Sequence, residues 1–136
     1  MGMEFDDLQQ DILNDARRHY SEETVDHFMN PRNLGPMEEA DAFAEFHGPC
    51  GDTIGIYVRL NGDIIEDVRF ITDGCGTSIA SGSMVTILAK GKTVEEAMSI
   101  QQEDVLRELG GFPPEKEHCA LLAVMSLRKA LKLVNV

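Results

Sequence analysis

Thr53-Ile54-Gly55-Ile56-Tyr57-Val58-Arg59-Leu60-Asn61-Gly62-Asp63-Ile64-Ile65-Glu66-Asp67-Val68-Arg69-Phe70-Ile71-Thr72 is where the hydrophobic period of this chain changes from helical to two. Ile54, Ile56, Val58 and Leu60 alternate with other residues, the pattern of a half-buried strand. Asn61-Gly62 predicts a hairpin of type I′, whose two central positions both need positive φ, and Ile64 to Thr72 supplies the returning strand. Phe43 to His47 adds a third strand. Cys50 and Asp52 share the parity of Ile54. A strand extended back that far would therefore point both side chains to one face, within reach of a common ion.

The flanks of this sheet read as helices. Phe5, Leu8, Ile12 and Ala16 recur at helical spacing among acids over 5–18, which predicts a first helix. Ser21-x-x-Thr24, with Glu22 and Glu23 in the first turn, starts a short second helix that must stop before Pro31. Asn33 to Pro36 then form a turn. Beyond the strands, Ser78 to Lys90 is helical with Gly91 as its C-terminal stop. Thr93 and Glu96 form a capping box, and a short helix over about 103–109 ends at Gly110-Gly111. A last helix runs from near Pro114 to about Leu133, with Ala120, Val124, Leu127, Leu131 and Val134 as its core stripe. Strands followed by a run of helices give an α+β fold: a small antiparallel three-stranded sheet with helices packed on one face. No repeat, low-complexity tract or linker divides the chain. Residues 1–18 form an N-terminal extension, expected to be helical, and 19–136 a single domain.

At 136 residues the chain suffices for one compact core. The 12 basic and 24 acidic residues give a net charge of −12. That balance excludes binding driven by nucleic-acid phosphates and opposes an anionic membrane, whereas a basic partner surface or a cationic metal fits. Half of the acids precede residue 46, where Arg17, Arg18 and Arg32 are the only basic residues; most such segments are solvated faces. No stretch is long and apolar enough to span a bilayer, and Met1 to Gln10 lacks the flanks of a signal peptide. Three cysteines do not make a disulfide framework, so a reducing, cytoplasmic location is expected.

Those three cysteines carry the chemistry. Cys50 lies in Gly48-Pro49-Cys50-Gly51-Asp52, Cys75 in Asp73-Gly74-Cys75-Gly76, and Cys119 follows His118 after Pro113-Pro114. Their spacing matches no C-x-x-C signature, and any one alone is most simply a small buried hydrophobe. Their settings argue otherwise. Cys75 precedes one helix and Cys119 lies in the first turns of another, where the helix N-terminus favours a thiolate by about 0.3–1 kcal/mol. Three soft sulfurs with Asp52 or His118 as fourth ligand suit an iron–sulfur cluster or zinc. A carboxylate is harder than a thiolate, so a cluster held partly by Asp52 should be lost more readily than a four-cysteine one.

Cys50-Gly51-Asp52, the run Gly74-Cys75-Gly76-Thr77-Ser78-Ile79-Ala80-Ser81-Gly82-Ser83, Lys90-Gly91-Lys92-Thr93 and Pro113-Pro114 leading to His118-Cys119 closely resemble the iron–sulfur scaffolds of the IscU type. These are equivalent to the N-terminal domain of NifU. Tyr20-Ser21-Glu22 and Asp26-His27-Phe28 through Asn30-Pro31-Arg32-Asn33 resemble the family's N-terminal stretch, so the likeness covers roughly residues 19–133. It implies a SufE/NifU-like α+β scaffold, not an enzyme, on which a [2Fe–2S] or [4Fe–4S] cluster is built and passed to recipient apo-proteins. A cysteine desulfurase would supply sulfur as persulfide, with Cys119 as acceptor. Cys50, Cys75 and Cys119 match the ligand cysteines, Asp52 the acid linked to release, and His118 a residue near the cluster or in zinc-bound forms. Zn²⁺ would occupy the same residues of an empty scaffold.

One departure concerns an Hsp70-type chaperone. The family's recognition segment is usually Leu-Pro-Pro-Val-Lys, whereas Phe112-Pro113-Pro114-Glu115-Lys116 puts a charge where such a groove prefers an apolar side chain, which weakens that expectation. Two rival readings differ in consequence. A SufU-like, zinc-dependent persulfide acceptor resembles a chain with an insertion before the last cysteine and Arg in place of His118, neither of which occurs here. A structural zinc domain would instead unfold on chelation. The chain could act as a monomer or a dimer.

Overall fold

The computed structural model describes residues 18–49 and 51–134. The helix expected over 5–18 therefore lies outside the described residues except for its last position, and so does Cys50.

Helix α1 spans Glu22–Met29, capped by Ser21, whose hydroxyl accepts the Thr24 N–H at 3.0 Å. It ends at Asn30, ahead of Pro31 as expected. Strands β1 (Ala42–His47), β2 (Thr53–Asn61) and β3 (Ile64–Thr72) form one antiparallel sheet in the order β1-β2-β3. Helices α2 (Gly76–Ala89), α3 (Val94–Met98) and α4 (Gln102–Glu108) follow, then a 3₁₀ turn at Pro114–Lys116 and helix α5 (His118–Leu131). The last α-helix thus begins four residues later than the proline pair suggests. Pro113 and Pro114 fix an extended entry and a single tight turn first.

The period-two pattern does what it predicts. Ala44, Ile56 and Phe70 pair across the sheet, as do Val58 and Val68, and all are buried on one face. The other face carries Phe43, stacked on Tyr57 at 4.3 Å, with Arg59 and Arg69 beyond. The hairpin differs from expectation. Asn61 pairs with Ile64, so Gly62 and Asp63 are the central residues, and Gly62 alone has positive φ (66°). That is the φ pattern of a type II′ turn, not I′. A bulge accompanies this turn: Arg59 pairs with Asp67 but Leu60 with Ile65, which leaves Glu66 as an extra residue.

Helices α2 and α5 lie on the buried face, α5 against β1 and β2 and α2 against β3 and α5. The expected stripe of α5 is the core: Ala120, Val124, Leu127 and Leu131 are buried and Val134 packs against them. Helix α2 is buried nearly all round, and two of its hydroxyls bond back to its own backbone. Ser81 donates to the Thr77 carbonyl and Thr86 to that of Ser83, each at 2.7 Å. At Gly82 the helix touches the sheet without a side chain; a Cβ there would lie 2.3 Å from Phe70 Cδ2.

One titratable group joins α1 to α2. His27 is buried with Nδ1 2.7 Å from Ser83 Oγ, and the same oxygen accepts the Arg32 N–H at 3.0 Å. Burial and the Arg32 charge push the imidazole pKa down from 6.5, with Asp26 opposing. A folded pKa below the unfolded one means that the unfolded chain binds more protons as pH falls. This contribution is therefore complete above pH 6.5 and is lost as pH drops below it. Asp26, Glu96 and Asp104, held below their ordinary values by hydrogen bonds, lose theirs only at lower pH. The urea midpoint should fall between about pH 7.5 and about pH 5.5, and His27→Gln should flatten that slope.

Candidate metal centre

Three chain segments meet at one end of the sheet. The first is a tight turn before β2: the Gly51 N–H donates to the Gly48 carbonyl at 3.1 Å and the Gly48 N–H to the Asp52 carbonyl at 2.7 Å. Gly51 takes φ 92°, which breaks the extended backbone, so β2 starts at Thr53. Asp52 is thus delivered by a turn and not by an extension of the strand, and the face expected for Cys50 lies outside the described residues. The second segment follows β3. Asp73 accepts the Thr53 N–H at 2.9 Å and the Thr72 hydroxyl donates to the Thr53 carbonyl at 2.7 Å, which ties the two turns together.

Gly74 then passes so close that a Cβ would lie 2.5 Å from Ser78 Oγ and 2.9 Å from Asp52 Cγ. The bare backbone of this glycine is what admits the carboxylate. Cys75 follows as the N-cap of α2, and α5 contributes Cys119 from its first turn.

Among the described residues, one carboxylate oxygen of Asp52 and the sulfurs of Cys75 and Cys119 lie within 4.8 Å of one another. Ligands at about 2.3 Å from a tetrahedral ion would be roughly 3.8 Å apart, so a single zinc needs a contraction of about 1 Å at most. His118 lies beside this trio, with Nε2 3.7 Å from Cys119 Sγ. The arrangement brings together Asp52, Cys75 and Cys119 and sets His118 at its edge; Cys50 lies outside the described residues.

The two described thiols are not equivalent. Cys75 is exposed and Cys119 only 1% so. Partial burial works to raise the Cys75 pKa, but the Thr77 hydroxyl, the Thr77 and Ser78 backbone amides and the Lys116 charge together bring it below its ordinary value. Burial pushes the Cys119 thiol up, and the nearby Cys75 and Asp52 charges add to this against the Thr77 and Ser78 hydroxyls. Cys75 opens onto a groove of about 450 Å³ lined among others by Tyr20, Phe28, Pro113, Glu115 and Lys116. Glu115, the departure in the proline segment, therefore borders the same groove as the exposed thiol.

The role of the hydroxyls was not legible beforehand. Thr77 and Ser78 stand in a quoted motif, but nothing in their spacing separates them from the other small residues of α2. Their buried setting does.

The fold and donor set define a small α+β domain that presents sulfur and carboxylate ligands in a half-open site at one end of its sheet. Comparison with known proteins agrees. Residues 19–134 match the model of the "NifU-like N terminal domain". "Iron-sulfur cluster assembly scaffold protein IscU 1" of Archaeoglobus fulgidus is 47% identical over 113 residues, 82% of this chain and 74% of that one. The scaffold protein IscU of Escherichia coli K12 is 42% identical over 117 residues, 82% of this chain and 91% of its own. A candidate cluster assembly scaffold of the SUF system from Fervidobacterium islandicum superposes with TM-score 0.69 at 30% identity, covering 82% of this chain and 96% of that one. The N-terminal part of a NifU-like protein from Brucella abortus shares the fold with TM-score 0.65 at 19% identity, over 83% and 92% of the two chains. The chain belongs to the NifU-like N-terminal domain family.

Proposed function

We propose that this protein is a scaffold for iron–sulfur cluster assembly, which accepts iron and sulfur, holds the nascent cluster briefly and gives it to apo-proteins. The observation that carries this reading is the convergence of Asp52, Cys75 and Cys119 from three distant segments, in a chain of this family. Cys50, Cys75 and Cys119 supply thiolates, with Asp52 and His118 as the remaining donors, and zinc competes for the same set. The cluster is cargo and not a resident cofactor. The ease of its loss follows from the mixed donor set: oxygen binds a soft cluster less firmly than sulfur does, so exchange with a recipient starts there. Sulfur arrives from a cysteine desulfurase as persulfide. Cys119 as acceptor requires the surrounding loops to part, because that thiol is 1% exposed. Work in a reducing compartment, the cytoplasm, is part of this reading and is supported by the two described thiols being free. Among the described residues no helix is long and apolar enough to cross a membrane.

Anaerobic reconstitution with iron, cysteine, a desulfurase and a dithiol to reduce persulfide sulfur to sulfide tests the proposal. The protein should develop sulfide-to-iron charge-transfer bands and then lose them to an apo-ferredoxin. Asp52→Ala should slow that hand-over on the order of tenfold, a barrier change of about 1.4 kcal/mol. A protein that takes up no iron and sulfide, and unfolds when zinc is chelated, would instead be a structural zinc domain.

A further inference from the structure

We propose that Thr77 and Ser78 are positioning residues, whose hydroxyls hold Cys75, Cys119 and Asp52 in a preassembled arrangement and so set how tightly the site grips a metal. This rests on the site assigned above and concerns residues that supply no ligand atom of their own.

The case begins with where buried hydroxyls normally go. Ser81 and Ser126 each bond back to the carbonyl four residues earlier in their helix, at 2.7 and 2.8 Å. Thr77 and Ser78 are as buried, at 3% and 0% exposure, yet they sit in the first turn of α2, where no helical carbonyl precedes them. Their hydroxyls turn to the site. Thr77 Oγ1 lies 3.1 Å from Cys75 Sγ and 3.3 Å from Cys119 Sγ. One hydroxyl has one proton, so Thr77 can donate to only one sulfur at a time, but its oxygen lies within hydrogen-bond distance of both and so sits between donors carried by two helices. Ser78 Oγ donates to Asp52 Oδ2 at 2.8 Å and lies 3.6 Å from Cys119 Sγ. That bond fixes the carboxylate by one oxygen and leaves the other for an ion.

Gly74 completes the arrangement, since any side chain there would overlap both Ser78 Oγ and Asp52. The donors are thus held near one another before any metal arrives. Partners that orient ligands in this way typically contribute about 10–100-fold to metal affinity.

The test uses Zn²⁺ alone, titrated against a chelator into the full chain, with Co²⁺ as a spectroscopic probe. Ser78→Ala should weaken Zn²⁺ about tenfold in the native background and have no effect in an Asp52→Ala background, because it acts through that carboxylate. Thr77→Val should weaken binding about tenfold in both backgrounds and shift the thiolate-to-Co²⁺ charge-transfer band, and Thr77→Ser should restore both. Melting of the metal-free variants establishes that they are folded; if Ser78→Ala is not, the Thr77 pair decides. Should Asp52→Ala weaken Zn²⁺ while Ser78→Ala and Thr77→Val bind as the native chain does, the positioning role is overturned and the site stands. If Asp52→Ala also binds normally, the carboxylate is no Zn²⁺ ligand and the role of Ser78 is overturned with it.

Discussion

Gly82→Ala is expected to lower the melting temperature by roughly 8 °C, from a net loss of about 2–3 kcal/mol. An alanine Cβ would lie 2.3, 2.6 and 2.8 Å from Cδ2, Cε2 and Cγ of Phe70. Phe70 is wholly buried in the central core, so its ring has no solvent into which to swing. Helix and strand must then separate or the ring must leave its rotamer, at a cost near or above the upper end for overpacking, about 3–4 kcal/mol. The better helix propensity of alanine returns about 1 kcal/mol. Gly55→Ala is the control. Its Cβ would meet the Phe43 ring at 2.7 Å, but Phe43 is 38% exposed on the outer face and can yield. Thermal unfolding followed by circular dichroism separates the two, and equal melting temperatures would show that the helix–sheet spacing is not set at Gly82.

Cys75→Ser is expected to abolish the charge-transfer bands after reconstitution and to weaken Zn²⁺ on the order of a hundredfold, about 2.7 kcal/mol. A serine hydroxyl keeps its proton at neutral pH and is a hard, poor ligand where a thiolate is a soft one. The fold should survive, because Cys75 is exposed and contributes little to packing. Its backbone position as the N-cap of α2 also suits serine well. The variant should therefore melt no lower than the native chain while losing its iron. Retention of the bands would remove Cys75 from the ligand set.

The sheet was readable because its signal is local. Alternation over Ile54 to Leu60 needs no knowledge of the rest of the chain, and the caps at Ser21 and Thr93 are likewise set by neighbours. The hairpin misled because Asn61-Gly62 and Gly62-Asp63 are both turn-forming pairs, and the strand pairing that chooses between them is not contained in a one-dimensional pattern. In the same way Gly51 ends the strand before Asp52, although parity alone would continue it. The candidate ligand residues could be picked out from their motifs. Their mutual distances could not, since they depend on how α2 and α5 meet. The Thr77 and Ser78 hydroxyls are the clearest loss: a first-turn position exempts them from bonding to their own helix, and only the assembled fold shows what they bond to instead.

The unequal exposure of the two sulfurs gives the site a front and a back. Cys119 is sealed beneath the first turn of its helix, and Cys75 stands at the rim beside a groove. Of these two sulfurs, a receiver that approaches from that rim and displaces ligands one at a time meets Cys75 before Cys119. Unloading on such a site has a direction, imposed by the protein before a recipient has been chosen.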